Sequence, residues 1–573
     1  MTDTQAGRQG APATQGDIAE RQGAPATQSE VEDTDAKARR REARIHAAQT
    51  GMTLAWWARQ QPERPAIISD AGDRTFGELN ANANRAAQAL RARGLGAGDS
   101  LSLICSNRPE FAETLAACQR IGVRLTTVNW HLTGPEMAYI IEDSEAKAVV
   151  GDARFAPAIE AAIAEVATSP PILFAVGGPI DGFEDYATAI APQDGADIDD
   201  PVVGRTMLYT SGTTGRPKGV DRPVTAAAAA EAARTPTATQ AASRYNPATD
   251  MHLCTGPLYH AAPLAFSLSG PLAAGVGVVV MDGWDARLAL ELIERHGITH
   301  THMVPTMFHR LLAIPEDERN KRDLSKLRYV IHGAAPCPVQ VKKALIDWLG
   351  PVVYEYYAAT EGSGSFVDSE TWLTKPGTVG KPATDDHVRI LDEDKQELPR
   401  NEVGTVYLKA PATGRFRYYK DDAKTTSSYL GDEGYFTLGD HGYLDDDGYL
   451  FLTGRSAELI ISGGVNIYPA EVDAVLLTHP AVGDVGVIGI PSGDWGEEVK
   501  AVVELKAGIE PSLELAGELV EFCRQRLAHF KCPRTVDFLD ELPRHDNGKL
   551  YRRKLRELYV TDEDPTGHRT AQA

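Results

Sequence analysis

Helical and strand-like segments alternate along most of this chain, and that alternation limits the folds open to it. Helical spacing over residues 79–92 stops at Gly94, a short apolar run follows at 100–105, and helical spacing returns at 111–121. The order repeats later: an amphipathic stretch at 288–296, a strand-like run at 298–304 and another at 327–331. Strands separated by helices are joined by right-handed crossovers, which gives largely parallel sheets covered on both faces. After Val403 the texture changes to short strands and Gly/Asp turns, as in residues 435–452, and a helix–strand mixture resumes after Tyr468. The reading is an α/β protein. A large N-terminal body with several subdomains spans 46–454, a small mobile α+β domain spans 455–560, and the boundary falls near Gly454–Ala457.

The tails differ. RQGAPATQ occurs at 8–15 and again at 21–28, a polar duplication too short for a solenoid unit and too poor in apolar surface to offset the entropy of ordering. Residues 1–45 are therefore expected as a disordered tail whose charged end, 35–44, leads as a helix into the body, and 561–573 as a second tail.

Among 573 residues, 58 Lys+Arg stand against 80 Asp+Glu, a net charge of −22 that argues against a nucleic-acid binder. The 42% hydrophobic content suits a chain with a large core. No apolar run approaches the ~18 residues of a membrane helix; the longest, 272–281, reads as a buried strand. With no apolar leader, a cytoplasmic setting is expected. Cys105, Cys118, Cys254, Cys337, Cys523 and Cys532 form no C-x-x-C pair and read as buried thiols.

The sharpest segment is YTSGTTGRPKGV at 209–220. An apolar strand ends in it, six of the next seven residues are Thr, Ser or Gly, and Lys218 closes it. Small residues let backbone N–H groups approach phosphate oxygens, hydroxyls add donors, and a lysine supplies charge. Gly219 after Lys218 excludes the G-x-x-x-x-G-K-[ST] order. Thr360-Glu361 alone reads as a capped helix start, Asp440-His441-Gly442 as a turn, and Asp445–Asp447 as an acidic hairpin turn. The H-x-H of His300 and His302 puts two same-face histidines on a strand with no third ligand, so metal is rejected.

YTSGTTGRPKGV resembles the phosphate loop of the adenylate-forming superfamily, which includes acyl-CoA synthetases, luciferases and peptide-synthetase adenylation domains. Four further segments are similar in the same order: YYAATEG at 356–362, YFTLGDHGYLDDDGYLFLTGR at 435–455, GGVNIYPAEVD at 463–473 and LPRHDNGKLYRR at 542–553. Together they cover the chain from about Thr53 to Arg556.

The resemblance implies ATP, Mg²⁺ and CoA as acyl acceptor, and assigns roles. Thr210, Ser211, Gly212, Thr213, Thr214 and Lys218 would hold the β- and γ-phosphates. Thr360 would bond a phosphate, and Glu361 would hold the metal. Tyr357 would stack on adenine, with Gly333, Ala334, Ala335 and Pro336 along the ring. Asp440 would accept the ribose hydroxyls, and Arg455, with Gly463 and Gly464, would meet the nucleotide from the boundary. Lys549 would stabilise charge shared between the acid and the α-phosphate. His260 would stand at the mouth of an acyl pocket drawn from 260–266, 306–307, 333–335 and 354–358. Arg544, Arg552, Arg553 and Lys554 are read as surface or CoA-phosphate candidates.

Three departures from the family pattern stand out: Ala457 at the hinge in place of Asp or Lys, Ala358 in place of Gly, and bulky Tyr354 and Tyr356. The implied function is an acid:CoA ligase for a hydrophobic monocarboxylate, fatty or bulky and cyclic. The alternatives are a stand-alone adenylation enzyme that loads a carrier protein, or a non-catalytic nucleotide-binding protein. A homodimer is compatible with the resemblance and is not read from the residues.

Overall fold

A computed structural model describes residues 28–210, 217–411, 415–455, 458–462, 465–492, 496–544 and 548–560. The octamer at 8–15, all but the last residue of its copy, and 561–573 lie outside the described residues. A helix, Gln28–Gln49, runs through the charged segment at 35–44 and buries Ile45 and Ala47.

The body is built on two sheets of mainly parallel strands. The larger has, among the described residues, nine strands in the order Lys381–Pro382, Gly362–Val367, Val353–Ala359, Tyr329–His332, His300–Met303, Met251–Cys254, Gly277–Val280, Pro65–Ile68 and Arg74–Thr75. Its middle is parallel, and antiparallel pairing closes both edges. The second sheet is parallel throughout, with Ser100–Ile104 between Ala146–Asp152 and Arg124–Thr127. Strands such as Ser100–Ile104 and Gly277–Val280 are buried at every position, because helices cover both faces.

The expected helices sit where their punctuation puts them. Thr75 and Glu78 form a capping box that starts Phe76–Ala92. Asp285 caps Ala286–His296, which ends at Gly297 in the left-handed conformation. One expectation needs correction: only the second half of 272–281 is a strand, Gly277–Val280. Pro271 occupies the first turn of the helix Gly270–Ala273, and Gly275 at φ 76° turns the chain before the strand begins.

Two antiparallel sheets follow. One orders Val388–Leu391, Gly404–Lys409, Tyr435–Leu444 and Leu450–Arg455. The other pairs Val482–Ser492 with Gly496–Leu505 and adds Ile460–Ser462, Val465–Ile467 and a parallel Thr535–Phe538. The latter has its own apolar core, including Val487, Val503 and Leu519. Ser456 and Ala457, the expected hinge, lie outside the described residues. Among those described, no helix is long and apolar enough to cross a membrane.

His300 and His302 share one sheet face, each held in the interior. His300 Nε2 lies 2.7 Å from the Ser243 carbonyl and His302 Nε2 2.9 Å from the Tyr356 hydroxyl. Burial lowers His302 to a pKa of about 3 and His300 to about 4, so both rings are neutral at physiological pH.

Candidate active site

The phosphate-loop segment begins and ends on paired strands. Leu208–Thr210 runs antiparallel to Lys218–Asp221, and Lys218 stands opposite Thr210 in register. The two residues expected to flank the loop are therefore neighbours, while Ser211, Gly212, Thr213 and Thr214 lie outside the described residues. Lys218 Nζ forms an ion pair with Asp421 at 2.6 Å and stands 5.9 Å from the centre of the Tyr418 ring. The lysine bond holds Asp421 below the usual carboxylate range.

Thr360 and Glu361 do not start a helix. They are the two-residue connection between Val353–Ala359 and Gly362–Val367, with Ala359 paired to Gly362. The tight reversal projects Glu361 into the interior, where it is 7% exposed and accepts the Tyr418 hydroxyl at 2.9 Å. Burial and that carboxylate push the Tyr418 hydroxyl above its ordinary pKa, so it stays a donor. Behind the reversal, Arg222 Nη2 donates to the Thr360 carbonyl at 3.2 Å. Burial pulls the Arg222 pKa down while the Tyr429 hydroxyl and the Glu361 charge pull it up.

Asp440 is not in a turn either. It sits within the strand Tyr435–Leu444, buried, opposite Arg455 in register. The turn lies further on, where Asp445 accepts the backbone N–H groups of Asp447 and Tyr449 and Lys375 neutralises both carboxylates. Tyr357 donates to Asp440 Oδ2 at 2.6 Å, and its ring lies so close to Gly364 that a Cβ there would stand 2.5 Å from the ring. The Arg455 side chain, Gly463 and Gly464 lie outside the described residues.

The strand Tyr329–His332 delivers the loop of Gly333, Ala334, Ala335 and Pro336. Gly333 is required by the Tyr356 ring, which a Cβ would approach to 2.7 Å. Ala334 has φ 68°, a left-handed conformation that costs an L-residue about 1–2 kcal/mol. His260 stands after Met251–Cys254, its ring 4.5 Å from that of Tyr259, and its carbonyl accepts from Leu264 at the start of the π-helical segment Pro263–Ser269.

Lys549 comes from the small domain. Its neighbour Gly548, at φ 78°, is pressed against Val304, just after the strand His300–Met303, and Thr306 in the first turn of the helix Pro305–Leu312, and a Cβ there would collide with Thr306 Oγ1. Two of the basic residues around Lys549 depart from the surface or CoA-phosphate reading. Arg544 is paired with Asp484, and Arg552 with both Asp473 and Glu458. Arg222, Tyr418, Asp421, Asp484 and Gly364 were missed from the sequence. Each reaches the site across an antiparallel pairing or a long loop, so no local spacing marks it.

Residues 54–419 match the AMP-binding enzyme family model and residues 471–549 the AMP-binding enzyme C-terminal domain. The chain belongs to the AMP-binding enzyme family. It is thus an AMP-forming ligase of the acyl-CoA synthetase kind, and the resemblance in its motifs is borne out. The fatty acid–[acyl-carrier-protein] ligase ScoC of Streptomyces coeruleorubidus is 32% identical over 89% of this chain and 96% of its own. The 2-succinylbenzoate–CoA ligase of Geobacillus sp. (strain WCH70) is 33% identical over 88% and 96%. Among solved structures, the Bacillus subtilis o-succinylbenzoate CoA synthetase with its acyl-adenylate intermediate superposes with a TM-score of 0.71. It is 30% identical and covers 88% of this chain and 97% of that one. This likeness bears out the α/β body and smaller C-terminal domain.

Proposed function

We propose that this member is an ATP-dependent acid:CoA ligase that converts a hydrophobic carboxylic acid, fatty or bulky and cyclic, to an acyl-adenylate and transfers the acyl group to CoA. The observation that carries the reading is the seating of Gly548 of the small domain, the residue before Lys549, on Thr306 of the body. It brings Lys549 to the side of the sheet where Gly333, Tyr357 and Thr360 emerge.

In this reading the acid's carboxylate oxygen attacks the α-phosphate, the bond to pyrophosphate breaks, and the leaving group departs with its charge neutralised. Lys549 holds the carboxylate and α-phosphate oxygens together as negative charge is shared between them. Thr210 and Lys218 hold the outer phosphates. Tyr357 presents its ring to adenine and fixes Asp440 for the ribose hydroxyls. Mg²⁺ fits the donors present: Glu361 offers hard carboxylate oxygens, and Mg²⁺ sites commonly join one or two carboxylates to phosphate oxygens and waters. When bound, the ion neutralises phosphate charge. Among the described residues no cluster of three or more His, Cys, Asp or Glu forms a separate metal cage. A cytoplasmic setting and a homodimer belong to the same proposal.

The similarity to ScoC supports a second acceptor, the thiol of a carrier protein. The test is pyrophosphate release from MgATP with a panel of fatty, aryl and polycyclic acids, with CoA, with a phosphopantetheinylated carrier, and with neither. Multiple turnovers sustained by CoA support the ligase, turnovers sustained only by the carrier replace CoA as the acceptor, and silence with every acid overturns the proposal.

A further inference from the structure

We infer that Arg544 is a positioning residue for Lys549, a cross-brace that fixes the lysine's backbone for adenylation. The inference rests on the proposed function for its catalytic consequence; the brace itself stands on geometry. The segment that carries Lys549 leaves and rejoins the small domain at nearly one point. Arg544 pairs with Leu550 in an antiparallel bridge, and Tyr551 N–H donates to the Pro543 carbonyl at 2.8 Å. The approach is anchored by Leu542 N–H, which donates to Glu504 at 3.3 Å, and the departure by Leu550, which is buried.

Within this narrow stem one guanidinium makes two kinds of contact. Arg544 Nε and Nη2 donate to the two oxygens of Asp484 at 2.7 and 2.6 Å, and Nη1 donates to the Gly548 carbonyl at 2.7 Å. Asp484 belongs to the long strand Val482–Ser492, so the fork ties the residue before Lys549 to the rigid sheet. Gly548 has the left-handed φ of 78°, which leaves its carbonyl orientation sensitive to whatever binds it. The other side of Gly548 meets Thr306 of the body. The peptide that leads into Lys549 is thus clamped between Arg544 and Thr306.

A lysine at 544 would keep a point charge for Asp484 but could not span Asp484 and the Gly548 carbonyl at once, because it lacks the planar fork. That difference separates positioning from simple stabilisation. The experiment uses the full chain with Arg544→Lys and Arg544→Met. It follows three quantities: hydrogen exchange of the Gly548–Tyr551 amides, acid-dependent pyrophosphate release, and thioester formation from supplied acyl-AMP and CoA. Thermal unfolding is measured alongside.

The expected result for Arg544→Lys is a near-wild-type melting temperature and faster exchange confined to those amides. Adenylation should slow on the order of tenfold or more, and thioester formation should be retained. Unchanged exchange in both variants overturns the brace whatever the activity. Faster exchange with unchanged adenylation overturns its role in placing Lys549, and an equal loss of both half-reactions shows general damage and overturns it too. If the wild type releases no pyrophosphate with any acid, the proposed function fails while the exchange measurement still decides the brace.

Discussion

Tyr357 and Asp440, 83 residues apart, are joined by a 2.6 Å hydrogen bond from the phenol to the carboxylate. An aromatic residue on one sheet and an acid on another thereby act as one unit. The bond turns Asp440 Oδ2 toward Tyr357.

Replacing Tyr357 with Phe keeps the ring and removes the donor. A hydrogen bond to a charged group contributes about 1.5–3 kcal/mol, so KM for ATP should rise about tenfold or more with kcat little changed. Steady-state kinetics in ATP check this, and an unchanged KM would show that the bond does not shape the nucleotide site.

Asp421→Asn keeps a residue able to cap the helix Asp422–Ser428 but removes the charge that holds Lys218. With a half-buried, solvent-screened pair of this kind contributing about 1 kcal/mol at most, KM for ATP should fall up to about fivefold. A rise in KM would mean that Asp421 orients the lysine and does not compete for it.

Lys549→Ala should slow pyrophosphate release by at least about a hundredfold, as loss of a preorganised charge does. Thioester formation from supplied acyl-AMP should persist. Loss of both half-reactions would place the lysine in the wrong step.

Asp473 supplies a pH test of the small domain. Burial pushes its pKa up to about 6, despite the Arg552 guanidinium beside it and against an ordinary value near 4. The folded state therefore binds this proton more tightly than the unfolded chain, and the stability it confers is full below about pH 4 and lost as pH rises through about 6. The unfolding free energy of the wild type minus that of Asp473→Asn should fall across that window, read by denaturant titration at several pH values. A flat difference would sink the assignment.

Much of the fold was legible because its signals are local. Thr75 with Glu78 marks a helix start, and Asp285 and Gly297 each stand next to the end of the helix that they mark. The site was less legible from residues alone. Thr360-Glu361 has the composition of a helix cap and is a hairpin connection, because pairing of Ala359 with Gly362 decides the matter and no local propensity reports it. Asp440-His441-Gly442 has the composition of a turn and is strand, held by Leu450–Arg455. Arg544 offered no sign of its role, since Asp484 lies 60 residues earlier.

Under the proposed function, the pairing of Lys218 with Asp421 has a consequence for which anions the lysine accepts. Asp421 is tethered to the same chain, so a free anion must compete with a carboxylate whose local concentration is high. Chloride, acetate or a single inorganic phosphate meets that rival with one weak contact. In the proposed function a triphosphate meets Thr210 and Lys218 together and so displaces the carboxylate. In that reading the internal carboxylate is a filter, turning an ordinary cation into one that answers mainly to polyvalent ligands.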